Sequence, residues 1–248
     1  MDNYSDLLDK GKLTMWLDIS TYCNAGCPQC HRTNPNGLDK VYWLSLVQWT
    51  IDDFKKAFPI TSMARIDKFD ICGTWGDPMM NKDIYEIVEY IIQNSKCGVL
   101  LHTNGSMRDD EFWWNIGILG GKRLNVQFTI DGVTDQEHTK YRQKTSLAKI
   151  LSHMLTLTST KATAGVYTVI FEHNERSMQA IAKLCRDHGA HYITFVPSNR
   201  FHHDLNWYNT FKFVDEEGVD QEFVRSSLKK YLSGPLNDTF IESLAHVL

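Results

Sequence analysis

No apolar run in this chain approaches the roughly 18 residues that a membrane-spanning helix needs. The opening stretch, MDNYSDLLDK, is acidic and polar and has neither the basic start nor the apolar middle of a secretory leader. An excess of charge is also lacking: the net charge is −4, which gives no reason to expect a protein that coats nucleic acid. A cytoplasmic protein with no membrane partner is the expectation, and in that compartment thiols stay reduced. Cysteine is scarce, with six in 248 residues and none after Cys185. Cys72, Cys97 and Cys185 are scattered and read as small buried apolar residues. The other three cluster in TYCNAGCPQCHR, as Cys23, Cys27 and Cys30, and the fourth thiol that would close a structural metal site is missing.

What is present in abundance is alternation. KLTMWLDIS, ARIDKFDIC, GVLLHT, RLNVQFTI, AGVYTVIF and HYITFV read as strands. Helical patterns stand between them. TIDDFKKAF opens on a Thr50/Asp53 capping pattern and puts Ile51, Phe54, Ala57 and Phe58 on one face. KDIYEIVEYII carries the stripe Ile84, Ile87, Val88 and Ile91. A shorter helix follows in DDEFWWNIGIL, then SLAKILSHMLTL with Leu147, Ile150, Leu151 and Met154 inward, then SMQAIAKLCRDHG stopping on Gly189. Six strand-helix units predict an α/β fold with a parallel sheet; a full barrel needs eight units and about 250 residues, so a partial, open (β/α)6 barrel is expected. After Pro197 the chain turns polar and aromatic, and helical patterns near 220–232 and 236–247 close it. The expected division is a barrel over 1–200 and an extension over 201–248 that caps it.

Chemistry in parallel strand-helix folds collects at the carboxyl ends of the strands. The cysteine triplet follows the first strand, CGTWGDPMM the second and TNGS the third; TIDG, EHN and PSN end the fourth, fifth and sixth. Each alone is ordinary turn chemistry. Together they form one rim. Three thiols there suit an iron-sulfur cluster with one iron left open, or a Cys3His zinc site completed by His31, although adjacent ligands at 30 and 31 are geometrically awkward. His202 and His203 could contact a metal or substrate, or be solvated loop residues. Trp207, Tyr208, Phe211 and Phe213 could form a substrate platform or a capping core. Trp75 could shape the pocket or pack beneath its loop, and Trp43 and Trp49 sit in a long connection.

The CxxxCxxC triplet after a first strand resembles the signature of the radical S-adenosylmethionine (radical SAM) superfamily, over roughly residues 13 to 197. GTWGDPMMNKDI is similar to the family segment that holds the methionine ammonium, matched here by Gly73, Gly76, Asp77 and Pro78. LHTNG looks like the third-strand TNG and brings in Asn104. FTIDGVTDQEHTKYR resembles the SIDG…H…R segment of the SPASM or twitch branch, which modifies peptides and proteins; Thr129, Asp131 and Arg142 are the matched positions. The resemblance implies one [4Fe-4S] cluster on the three cysteines and S-adenosylmethionine (SAM) on the open iron. Reductive cleavage would then give a 5′-deoxyadenosyl radical that takes a hydrogen atom from a peptide, protein or other substrate. It further implies an external one-electron reductant of flavodoxin or ferredoxin type. Thr129 and Arg142 would serve the SAM carboxylate, an arginine pair being the strong form, unless Arg142 is a plain surface residue. Gln29 stands where the family usually has an aromatic residue, Asp77 is shorter than the usual glutamate, and the tail has no cysteine for an auxiliary cluster. A glycyl-radical-enzyme activase and a non-catalytic zinc or iron-sulfur module are the alternatives.

Overall fold

Period-two alternation along the strands decides the architecture. In β4 (Leu124–Thr129), Leu124, Val126 and Phe128 are fully buried while Asn125, Gln127 and Thr129 are only partly so. In β3 (Gly98–Thr103), Val99, Leu101 and Thr103 are buried and His102 is not. Successive side chains of a strand point to opposite faces, so such a sheet has one apolar face that must be covered and one polar face that can stay open. The computed structural model describes residues 13–203, 206–228 and 231–248. The side chains of 202–207, and with them His202, His203 and Trp207 from the sequence analysis, lie outside the described residues.

The sheet runs β1 (Leu13–Leu17), β2 (Ile66–Ile71), β3, β4, β5 (Thr163–Ile170) and β6 (Tyr192–Pro197), all parallel and in chain order. No pairing joins β1 to β6, so this is the open barrel that six units imply. Register places His102 beside Gln127, and Thr129 beside Tyr167, aligning the polar positions across the inner face. The apolar face is covered by α1 (Ile51–Ala57), α2 (Ile60–Met63), α3 (Ile84–Asn94), α4 (Asp110–Gly120), α5 (Asp135–Tyr141), α6 (Leu147–Thr158) and α7 (Met178–Asp187). The Thr50/Asp53 capping box forms at the start of α1. The α3 stripe Ile84, Ile87, Val88 and Ile91 is fully buried. Beyond α7, Gly189 takes φ +88°, a turn that only glycine makes without cost.

The extension differs from its expected form. The described residues of 220–232 are not a helix: β10 (Asp220–Val224) pairs antiparallel with β9 (Thr210–Val214), after the short pair β7 (His202–His203) and β8 (Asn206–Trp207). The reason lies in FKFVDEEGVDQEFV, two alternating runs around a turn in which Gly218 has φ +79° and the Asp215 carboxylate accepts from the amides of Glu217 and Val219. β11 (Ser233–Pro235) then joins β6 antiparallel, and α8 (Asp238–Leu244), capped by Asn237, fills the other expected helix. The hairpin docks on the rim: Val214 bridges to Asn36, and Glu172 N–H donates to the Val224 carbonyl at 3.1 Å. Phe213 and Phe223 stack at 5.0 Å, and Phe223 stacks on Phe171 at 4.8 Å. These aromatics are a capping core, with Tyr208 exposed and Phe211 at its edge.

Buried Glu175, just past β5, fastens the next stretch of the extension. Its carboxylate accepts from Ser226 Oγ at 2.6 Å, Ser227 N at 2.9 Å and Ser227 Oγ at 3.0 Å. Glu175→Ala should therefore lower the unfolding free energy by about 1.5–3 kcal/mol, the worth of hydrogen bonds to a charged group. It should also open residues 210–228 to protease. Urea unfolding and limited proteolysis indistinguishable from the parent would show that the hairpin is held by its aromatic contacts alone.

Candidate functional site

The cysteine loop is a stretch of irregular backbone that must be tied down from outside. Gly26 N–H donates to the Gln143 carbonyl at 3.0 Å, and Asp77 N–H to the Tyr22 carbonyl at 2.7 Å. Arg32 reaches the Trp75 carbonyl through Nε and the Thr21 carbonyl through Nη2, both at 3.1 Å. Asn24 Nδ2 donates to Ser106 Oγ at 2.9 Å. Gln29, where the family resemblance calls for an aromatic residue, is buried and polar-bonded. Its Oε1 accepts from Ser198 Oγ at 2.5 Å, its Nε2 donates to the Arg200 carbonyl at 3.2 Å, and its own carbonyl accepts from Arg200 Nη1 at 2.8 Å. The loop is thus bound to the ends of β2, β3 and β6 and to the turn after α5. Glycine is required at the β2 end: a Cβ on Gly76 would lie 2.1 Å from the Ser20 carbonyl oxygen, and one on Gly73 would lie 2.6 Å from that of Gly76.

A cavity of about 130 Å³ is walled by Cys23, Cys27 and Cys30, by Gly73, Gly76 and Asp77, and by Asn104, Thr129 and Arg142. It shares Cys27, Cys30, Gly73, His102, Thr129 and Arg142 with a second cavity of about 310 Å³ on the barrel's inner face. Two of the sequence candidates stand off these walls. Pro78 is buried as the first residue of a short 3-10 turn, and Asp131 is fully buried behind Arg142.

Asp77 is held differently from the role first assigned to it. Its two oxygens accept from Thr103 Oγ1 at 2.9 and 3.0 Å, Asn104 N at 2.8 Å, Asn104 Nδ2 at 2.5 Å and Met79 N at 2.9 Å. Five contacts fill the roughly four lone-pair directions of a carboxylate. Burial pushes its pKa up, against those donors. Asp77 therefore pins the β3 turn to the β2 turn, while Asn104 Nδ2 reaches on to Asn24 Oδ1 at 2.8 Å.

Arg142 is not a surface residue; its side chain is 14% exposed. Its Nε donates to Asp131 Oδ2 at 2.5 Å, its Nη1 points at Cys27 Sγ at 3.7 Å, and its guanidinium lies over the Tyr141 ring at 4.8 Å. Burial opposes its charge, but Asp131 and Cys27 outweigh burial and its pKa is raised, so it stays cationic. His138 completes the clamp. Its Nδ1 accepts from Asp131 N–H at 3.1 Å, and its Nε2 lies 3.0 Å from Thr145 Oγ1, which donates to the Arg142 carbonyl at 2.5 Å. Burial first, then Arg142, push the His138 pKa down to about 3. The TIDG…H…R segment is thus a buried bracket that delivers one cation to one thiol.

The thiols are matched to a cationic group. Burial, with Asp77 and Cys27 adding to it, pushes the Cys23 thiol well up; burial also raises Cys27, against Arg142. Deprotonating the set needs compensating positive charge among them, which bound metal supplies. No three His, Cys, Asp or Glu side chains converge on a single metal ion among the described residues. The thiols ring a cavity instead. Thr129 is a residue of that wall, and its Oγ1 is buried with no hydrogen-bond partner among the described residues. His31 stands outside the set, tilted against Trp75 at 6.2 Å, and Trp43 packs edge-on against Trp75 at 5.4 Å.

Gln127, Tyr167 and Arg200, which no motif flagged, line the inner cavity together with His102 of LHTNG and Ser198 and Asn199 of PSN. His102 Nε2 lies 2.8 Å from Asp70 Oδ1, and Asp70 is buried. Their signal was available, since parallel strands covered on both faces read as continuous apolar runs. LHT and NVQFT alternate instead.

No family model matches the chain. Two curated proteins do. One is a probable GTP 3′,8-cyclase of Methanocaldococcus jannaschii, 23% identical over 92% of this chain and 75% of its own length. The other is an AdoMet-dependent heme synthase of Nitratidesulfovibrio vulgaris, 24% identical over 81% of this chain and 56% of its own. Streptococcus suis SuiB, solved with S-adenosylmethionine and with its precursor peptide SuiA, superposes with a TM-score of 0.60 at 11% identity. The matched part is 74–76% of this chain but only 40–41% of SuiB, and at that identity the likeness is one of fold.

The bracket has a pH signature. A histidine held neutral in the fold protonates first in the unfolded chain, so stability is full above the unfolded pKa of about 6.5 and falls as pH drops toward 3. Each such histidine contributes up to about 1.4 kcal/mol per pH unit; burial likewise lowers His173, to about 4. Urea midpoints should fall between pH 6.5 and 4.5, and His138→Gln should flatten that fall. An equal slope in the variant would show that His138 is protonated in place.

Proposed function

We propose that this chain, a member of the radical SAM superfamily, carries one [4Fe-4S] cluster on Cys23, Cys27 and Cys30 and uses it to cleave SAM. Membership rests on the cysteine triplet, the open barrel and the curated relatives taken together. The cluster supplies the electron that splits SAM into methionine and a 5′-deoxyadenosyl radical, which takes a hydrogen atom from the substrate.

The observation that carries the reading is the Thr129 hydroxyl, buried and unpartnered among the described residues, on a residue that walls the cavity the three thiols share with Arg142. A buried polar group left unmade costs about 1–3 kcal/mol, so the site is built for a ligand that completes it. The methionine end of SAM brings a carboxylate and an ammonium. Thr129 Oγ1 and Arg142 Nη2, which makes no hydrogen bond to the described residues, are the free donors for the carboxylate. Backbone carbonyls of the Gly73–Gly76 turn are acceptors for the ammonium, with the hydrogen-bonded Asp77 carboxyl fixing that turn from behind.

The substrate enters the polar inner cavity, between His102, Gln127 and Tyr167 on the strands and Arg200 at the β6 end. A peptide or protein substrate is supported by the TIDG…H…R segment and by the barrel shared with SuiB, a protein that binds a precursor peptide. A flavodoxin- or ferredoxin-like protein is the class of reductant suited to feeding one electron at a time.

Anaerobic reconstitution should yield about four irons per chain, and dithionite should then release 5′-deoxyadenosine from SAM, read by mass spectrometry. Replacing all three cysteines by alanine should abolish the visible absorbance. Thr129→Val should keep the iron but weaken SAM binding about tenfold, the equivalent of 1.4 kcal/mol. Iron retained by the triple variant, or SAM bound and never cleaved under any reductant, would return the protein to the class of binding modules.

A further inference from the structure

Arg142 lies in the same bracket as Asp131 and His138, and its geometry does more than close a SAM pocket. Nη1 is directed at Cys27 Sγ at 3.7 Å while Nε is committed to Asp131 at 2.5 Å. Asp131 is in turn locked, its Oδ1 accepting from Val169 N at 2.7 Å and its backbone carbonyl from Asn174 Nδ2 at 2.9 Å. The Tyr141 ring beneath the guanidinium and the Thr145 hydroxyl on the Arg142 carbonyl leave that side chain little freedom. The inner cavity's other arginine, Arg200, directs its Nη1 to the Gln29 carbonyl rather than to a thiol.

We infer that Arg142 is a positioning residue for the cluster: its guanidinium donates to the Cys27 sulfur and, anchored by Asp131, sets how readily the cluster accepts an electron. The inference rests on the cluster assignment above. Hydrogen bonds to the ligating sulfurs and nearby charge are among the levers on the potential of such clusters. The step is the gain of one electron from a one-electron reductant, and it adds one negative charge beside Cys27. A fixed cation there favours the reduced form, and the Asp131 carboxylate tempers it. Removing the cation should make reduction harder, whereas removing only the carboxylate should make it easier.

The test is the midpoint potential of the reconstituted protein, followed by EPR in a redox titration without SAM. Arg142→Gln combined with Asp131→Asn leaves no buried charge unpaired and should move the potential negative by a tenfold change in electron affinity, 59 mV for one electron. Asp131→Asn alone should move it positive, and Arg142→Lys should lie between the parent and the double variant. SAM affinity is measured on the same samples. Equal potentials in parent, double variant and Asp131→Asn overturn the inference, as does a change confined to SAM binding, which would leave Arg142 with the carboxylate alone. A parent protein that takes up no cluster would instead sink the functional reading itself, which keeps the two failures apart.

Discussion

Three thiols gathered in a buried site without a fourth are the constraint around which the rim is built. Burial disfavours the thiolates of Cys23 and Cys27, so the set needs positive charge among them to ionise together. The surroundings answer that need in layers. Asp131 and His138 hold one permanent cation against Cys27. Asp77, fully hydrogen-bonded, locks the two glycine-bearing turns that close the other side. Gln29 ties the triplet to the β6 end, so the loop that carries the thiols is fixed by strands on both flanks of the barrel. Neither bracket is made of thiol ligands, yet each fixes where a ligand can be.

The same sheet separates stability from chemistry. Its outer face is a continuous apolar layer, with Phe69, Val99, Val126, Val166 and Ile193 all at most 1% exposed against the helices. Its inner face alternates in polar side chains, and the cavity there meets the thiol cavity at Cys27, Cys30, Thr129 and Arg142. The two cavities therefore adjoin on the polar side of the sheet, away from the apolar core. The hairpin of the extension packs against the chain just past β5, where Phe223 stacks on Phe171 and on Phe213.

The sequence made the barrel legible because its units carry local signals, a periodic stripe in one and a cap in another: the α3 stripe and the Thr50/Asp53 box are examples. It made the thiols legible because their spacing is local. It misled at 220–232, where the charged residues between Val219 and Val224 hid a strand whose one buried side chain among the described residues is that of Phe223. The role of Arg142 was half legible. Its motif marked it, but only the folded chain brings residue 142 to residue 27, across 115 positions. The saturation of Asp77 is likewise a three-dimensional fact, since its donors come from Met79, Thr103 and Asn104. The inner-face residues left a trace, polar alternation in parallel strands, that a motif search passes over.

The proposed function requires that this chain hold three of four irons and that SAM hold the fourth. Mössbauer spectroscopy of protein reconstituted with iron-57 reads it directly. With SAM added, the account predicts that one iron in four changes its isomer shift and quadrupole splitting while the other three keep theirs. A spectrum unmoved by SAM, or iron bound as isolated ions with no cluster signature, would contradict it.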